Sequence, residues 1–469
     1  MGAPPADGQF CKATDVRQAL SGLMPHLVPY WERPLKDYAA AAYDAGAFQT
    51  KSSVRHHAME LLCRCLERAA RRSGYSVQEG RRAIGQMMTA PVLQTGPHCL
   101  LLIEPDAFYT HLFSVLGLNA HQHEWYLSYH SSTVSFSEKA KKGPGWVRLD
   151  GEALNVFGLP RRRMDSFSMC GSNGPYRFAF SNALGVSAPN RSASQLLAVL
   201  PSGEFRSAAD AIRHANQILW RRDLPSPIKL LQLDDFDIAD LIADHLDDTS
   251  SWMAAHFVGN GAVPESVLGA TDRLNAGCWK GWVRRTTDFF WRLDKGRIVP
   301  LRLCSGVLKA KSASNFEVRY IPQEIAEALR RRELVPSLYT VFLVTSVLPG
   351  VRVLGGCRQV VYYPLMRHLA AIGFAQSGEL GLLADLRSDD RPGLWGHRVL
   401  KPLGTNPSAE TSALTDATRL LRQYAETPLV QAAGDLASFT RDPDWAHLSQ
   451  YLADGLAPSH SSEWRWAGS

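Results

Sequence analysis

The stretch Ala90–Leu118, APVLQTGPHCLLLIEPDAFYTHLFSVLGL, decides the fold. Its short apolar run at Val92–Gln94 stops at the Thr95-Gly96 step, and helix-compatible sequence follows over Asp106–Leu116. A second stretch, Leu348–Leu369, reads LPGVRVLGGCRQVVYYPLMRHL. There a run of branched residues closes at Gly355-Gly356 before the spacing turns helical. Strand, glycine step and helix make up the repeating unit of an α/β protein with a parallel sheet. Ligands of such sheets sit beyond the carboxyl ends of the strands, where helix N-termini present free N–H groups. The two junctions therefore predict an enzyme whose small-molecule site lies between them.

Working outward, residues 1–87 read as an N-terminal helical region, with apolar side chains at helical spacing over Val54–Arg72. Residues 88–200 supply β-type runs (VLQ, EWYLSYHSSTVSF, GWVRLD, ALNVFG) and form the first half of the core. Residues 201–269 read as a helical insertion. Residues 270–375 read as the second half of the core, with strands expected at RIVPLRLC, FEVRYI, LYTVFLVTSV and VRVLGG. Residues 376–469 are mixed: a helix is expected over Thr411–Tyr424 and an exposed tail over Ser459–Ser469. The architecture expected is one parallel-sheet core assembled from two sequence blocks, with additional helical segments around it.

Composition sets limits. With 45% hydrophobic and 20% charged residues the 469-residue chain is an ordinary globular protein. The net charge of +6 is spread along the chain, and Arg161–Arg163 and Arg330–Arg332 are short, isolated runs. Such runs read as solvated faces, so no nucleic-acid partner is expected. The eight cysteines form no CxxC pair and match no zinc spacing. His56-His57 and His121-Gln122-His123 lack carboxylates at ligand spacing, so no metal is expected. The N-terminus shows no secretory pattern, and no window holds ~18 uninterrupted apolar residues. A cytoplasmic protein with reduced thiols and no membrane association is expected.

Four clusters carry candidate chemistry. At the first junction Thr95 offers a hydroxyl, Gly96 a close backbone approach, and His98 a group able to hold or shed a proton near neutral pH. After WYLSY, His130 and Ser131 face the same crevice if their strand neighbours the first. The turn Cys170–Arg177 carries Asn173, Tyr176 and Arg177, types that recognise a carboxylate or phosphate. At the late junction Gly355 and Gly356 form an anion cradle, and Gln359 and Tyr362, three apart, share a helix face. That cradle has neither the GxGxxG nor the GK[ST] spacing of the nucleotide fingerprints. Each cluster also has a plain structural reading, as a turn or a polar strand end.

Taken together the two junctions resemble the bacillithiol synthase family. The late match runs through Leu348, Pro349, Gly355, Gly356, Gln359, Tyr362 and Leu365. The early one runs through Thr95, Gly96, Pro97 and His98, then Phe108, Tyr109 and Thr110. The resemblance implies a Rossmann-like core related to nucleotidyltransferases and a crevice formed jointly by both junctions. It also implies a bacterial enzyme that joins cysteine to a sugar-derived acceptor. The chain departs from the family in having His130-Ser131-Ser132-Thr133 where an acidic-histidine cluster is expected, and no coiled coil follows Leu369.

The expectation is a divergent, ligase- or transferase-like biosynthetic enzyme of a specialised-metabolite pathway. It would condense a cysteine-like amino acid or other nucleophile with a second small substrate, forming a C–S or C–N bond. His98 and His130 are the expected acid–base pair. Thr95, Gly96, Tyr109, Ser131, Asn173, Tyr176, Arg177, Gly355, Gly356, Gln359 and Tyr362 are the expected substrate contacts. Two other classes stay open: a catalytically inactive ligand-binding or partner protein, and a nucleotidyltransferase, which would bring an adenine nucleotide as cofactor.

Overall fold

The computed structural model of the protein describes residues 12–138, 142–182, 184, 186–187, 189–224, 227–259, 261–310, 316–401, 417–453 and 463–468. Five parallel strands form the central sheet: β1 (Val92–Gln94), β2 (Trp125–Tyr129), β5 (Lys229–Leu233), β11 (Arg352–Gly355) and β12 (Gly393–Trp395). Their order is β12-β11-β1-β2-β5. The chain therefore builds outward from β1 through β2 to β5 on one side, and from β11 to β12 on the other. This order makes the β1–β11 boundary a topological switch point, with both glycine junctions at it. The core is an α/β, Rossmann-like sheet with helices around it.

The strand set differs from the two-block expectation. The segment 201–269 contributes the edge strand β5, and the C-terminal segment contributes β12. Apart from β11, the strands of 270–375 form a separate antiparallel sheet. These are β6 (Phe290–Asp294), β7 (Arg297–Cys304), β8 (Val307–Ala310), β9 (Glu317–Arg319) and β10 (Leu334–Pro336), in the order β10-β6-β7-β8-β9. GWVRLD and ALNVFG pair with each other rather than with the parallel sheet, as the hairpin β3 (Trp146–Leu149) and β4 (Glu152–Asn155), and Asn155 also bridges to Ser181. The two-residue loops Asp150-Gly151, Lys295-Gly296 and Ser305-Gly306 have positive φ at both positions, which matches the twist of the strands they join and favours local hairpins.

LYTVFLVTSV is helical rather than extended. Ser337 caps the helix Leu338–Phe342 by accepting from the Thr340 N–H, and a π turn continues it over Leu343–Val347. Eight of its ten side chains, from Thr340 to Val347, are buried, so the alternation that separates helix from strand is lost. At the C-terminus Trp464 stacks on Trp279 with ring centroids 5.3 Å apart, and Trp466 accepts from Arg367 Nε at 2.7 Å. The described part of the expected tail is thus docked. The helix expected over 411–424 is described as Ala417–Glu426; residues 411–416 lie outside the described residues, as does Cys11.

The N-terminal helices follow the expectation. Ser52 caps Ser53–Arg72, and Ser76 and Glu79 form a reciprocal capping box for Val77–Thr89. Helix Pro105–Ala120 is buried along most of its length. The antiparallel sheet and helix Ala262–Ala276 stand over the carboxyl edge of the parallel sheet and close a cavity against it. No described helix is long and apolar enough to cross a membrane.

Candidate functional site

All five parallel strands end at one edge, in polar residues or a glycine step. These are Thr95-Gly96 after β1, His130–Thr133 after β2, Asp234-Asp235 after β5, the Gly355-Gly356 step that closes β11, and Gly396-His397 after β12. A cavity of about 680 Å³ opens there, floored by residues from all five ends. Its opposite wall comes from helix Ala262–Ala276, the loop Gly281–Thr287, strands β6 and β7, and helix Leu338–Phe342.

The two glycine junctions are clasped together. The Thr95 N–H donates to Leu354 O at 2.8 Å. Thr95 Oγ1 lies 3.0 Å from that carbonyl oxygen and 2.9 Å from Gln359 Oε1, and Tyr362 OH donates to the same Oε1 at 3.3 Å. Gln359 Nε2 is left buried without a partner among the described residues. The glycines are explained by neighbouring side chains. A Cβ on Gly96 would overlap His397, and one on Gly355 would overlap Gln359. A Cβ on Gly356 would stand 3.3 Å from His397 Cδ2. Gly96 therefore makes room for a histidine that reaches across from the end of β12, two strands away.

His98 lines the cavity with Nδ1 2.9 Å from Glu138 Oε1. The histidine beside Glu138 holds its carboxyl below the usual range, so the carboxylate accepts and Nδ1–H donates. In the neutral ring this places the proton on Nδ1 and makes Nε2 the acceptor. His397 is buried, with Nδ1 2.8 Å from Thr110 Oγ1. Burial, then Arg398 and three nearby histidines, push it well below its ordinary pKa, so it is neutral.

Asp235 braces the end of β2. Its carboxylate accepts from Tyr129 OH at 2.6 Å, from the Ser132 N–H at 2.5 Å and hydroxyl at 2.8 Å, and from the Thr133 N–H at 2.8 Å. Burial raises its pKa nonetheless. Most of the cations around the cavity are already paired: Arg285 with Asp288 and Asp272, Arg358 with Asp442, and Arg398 with Asp106. Arg284 is exposed, donates through Nε to Gly281 O at 3.2 Å and has no carboxylate partner among the described residues. Burial pushes the Cys170 and Cys357 thiols up to about 12, so neither is a thiolate at neutral pH.

Thr95, Gly96, His98, Ser131, Gly356, Gln359 and Tyr362 meet at the cavity. Other expected residues do not. His130 is fully buried under the floor, stacked on His111 at 6.0 Å, and burial pushes its pKa well below the ordinary value. The expected pairing of His98 with His130 is therefore replaced by His98 with Glu138. Gly355 lies behind Gln359, and Tyr109 packs edge-on to Tyr424 at 5.8 Å. Asn173 and Tyr176 bond each other at 2.5 Å in a turn seated against Gly296, and Arg177 is exposed away from the cavity. That turn is a packing joint: the Ser168 N–H donates to Gly296 O at 2.8 Å.

Sequence reasoning missed Glu138, Asp235 and His397. Asp235 and His397 each follow a short apolar run, KLLQL and GLW, the same signal that marked the first junction. Glu138 sits in a loop 40 residues from its histidine, and no spacing announces it. Compared with known proteins, the chain matches no family model and no curated protein.

Proposed function

We propose that the protein is a cytoplasmic biosynthetic enzyme that condenses an amino acid or similar nucleophile with a second small molecule, forming a C–S or C–N bond. The observation that carries this reading is the convergence of a histidine–carboxylate pair and an unpartnered amide donor on the switch-point junctions. His98 Nε2 takes the proton of the incoming thiol or amine, and Glu138 holds the ring and offsets the charge that forms on it. Gln359 Nε2 donates to the oxygen of the electrophilic substrate, where negative charge grows as the bond forms, and the bond from that carbon to its leaving group then breaks as His98 passes its proton to the departing group. His397, neutral and anchored on Thr110, packs beside the first glycine and holds the floor. The junction resemblance supports the same class of reaction.

The test is direct. Purified protein is incubated with cysteine and a panel of malate-type and amino-sugar acceptors, with and without ATP, and products are read by mass spectrometry. A species containing both substrates, lost in His98→Ala, is the expected outcome. Ligand binding without any product would favour the inactive binding protein. Nucleotide transfer without condensation would favour the nucleotidyltransferase.

A further inference from the structure

The two walls of the cavity differ in chemistry. The strand ends contribute Thr95, His98, Ser131, Asp235, Gln359 and His397, all polar. The facing wall has an apolar part, made by Leu268, Trp291, Ile298, Leu338 and Phe342, beside the polar loop that carries Arg284 and Arg285. Leu338 is 41% exposed and Ile298 half-buried, so apolar surface is left open at the cavity. One helix records the change along its length. Gln359, Tyr362, Met366 and Leu369 of helix Gln359–Gln376 all line the cavity, at spacings that keep them on one face. From the amide of Gln359 to Leu369 the face runs ten residues, about 15 Å at 1.5 Å per residue, and turns from polar to apolar.

We propose that one substrate of this site is an amphiphile: a carboxylic acid or acyl compound with an alkyl or aryl tail. Its oxygen takes the unpartnered Gln359 Nε2 at the junction. Its tail lies along Met366 and Leu369 against Ile298 and Leu338. A site for two wholly hydrophilic substrates would leave that apolar part facing water, whereas an alkyl or aryl tail would cover it. This inference rests on the reading of the crevice as a small-molecule site and adds the class of one substrate.

Affinities of the whole protein for butyrate, hexanoate and octanoate, measured by calorimetry at fixed salt, test it. Each buried methylene is expected to tighten binding about fourfold, so hexanoate should bind roughly 15-fold tighter than butyrate. Leu338→Asp and Ile298→Asp, both checked for unchanged thermal unfolding, should weaken octanoate tenfold or more and butyrate less than twofold. Equal affinity for the three acids would overturn the proposal, as would length dependence untouched by both variants. Cysteine and malate are run alongside. If they bind while the acids show no length dependence, the crevice reading stands and the amphiphile is wrong. If nothing binds, both fall.

Discussion

His98 has one ring nitrogen committed to Glu138 and the other left for chemistry, so its removal should separate catalysis from folding. His98→Ala is expected to lower turnover by about 10²- to 10⁴-fold, the usual contribution of a positioned base, with unfolding temperature within a degree or two of the wild type. Parallel loss of both would show His98 to be a packing residue. Asp235 behaves in the opposite way. Replacing it by alanine strands the Tyr129 and Ser132 hydroxyls and two backbone N–H groups. At about 1–3 kcal/mol per buried orphan, Asp235→Ala should destabilise by several kcal/mol in urea unfolding. A change below about 1 kcal/mol would show that water already serves that loop.

The elements explain what could be read from the chain and what could not. The junctions after β1 and β11 were legible because a glycine step between an apolar run and a helix is a local signal. β5 and β12 escaped because strands of five and three residues, buried nearly throughout, show no alternation. Of the second sheet β7 and β9 were readable as strands, while β6, β8 and β10 and the pairing of all five were not, since partners lie wherever the chain folds back. Glu138 was invisible for the same reason: its histidine is a neighbour only in space. Two glycines of opposite function make the element scale testable. Gly96→Ala would drive a methyl into His397, and overpacking of this kind costs about 1–3 kcal/mol. Gly85, exposed inside helix Val77–Thr89, has nothing within 4 Å of an added Cβ. Gly85→Ala should stabilise by about 0.5–1 kcal/mol through helix propensity alone. Differential scanning calorimetry on the two variants should therefore move in opposite directions, and shifts of the same sign would contradict the packing described at the first junction.

Over the whole molecule, buried histidines set the response to acid. His111 and His245 are lowered to about 3 by burial, and His130 and His397 lie well below the ordinary value. Unfolded, each has its ordinary pKa near 6.5 and takes up a proton that the folded state refuses. Their contribution is present above pH 6.5 and lost as pH falls below it, by up to ~1.4 kcal/mol per pH unit for each histidine. Asp237, pushed up to about 6 by burial and by Asp234, opposes this between its unfolded value and pH 6. Glu104, pushed up to about 7 by burial, and Asp235 oppose it too, but the four histidines still outnumber the three carboxylates. The urea midpoint should fall between pH 6.5 and 5, and a flat midpoint would mean that these rings are hydrated.

Whether the carboxyl edge between β1 and β11 holds a small molecule is decided by a thermal-shift screen of wild-type protein and Gln359→Leu. The screen would use cysteine, other amino acids, malate-type acids and adenine nucleotides. A ligand at 100-fold its Kd adds about 2.7 kcal/mol to the folded state, a shift of several degrees. The account predicts that at least one compound stabilises the wild type and that Gln359→Leu, folded to the same baseline, loses the shift. Stabilisation equal in both proteins would place the ligand elsewhere, and no stabilisation by any compound would contradict the account.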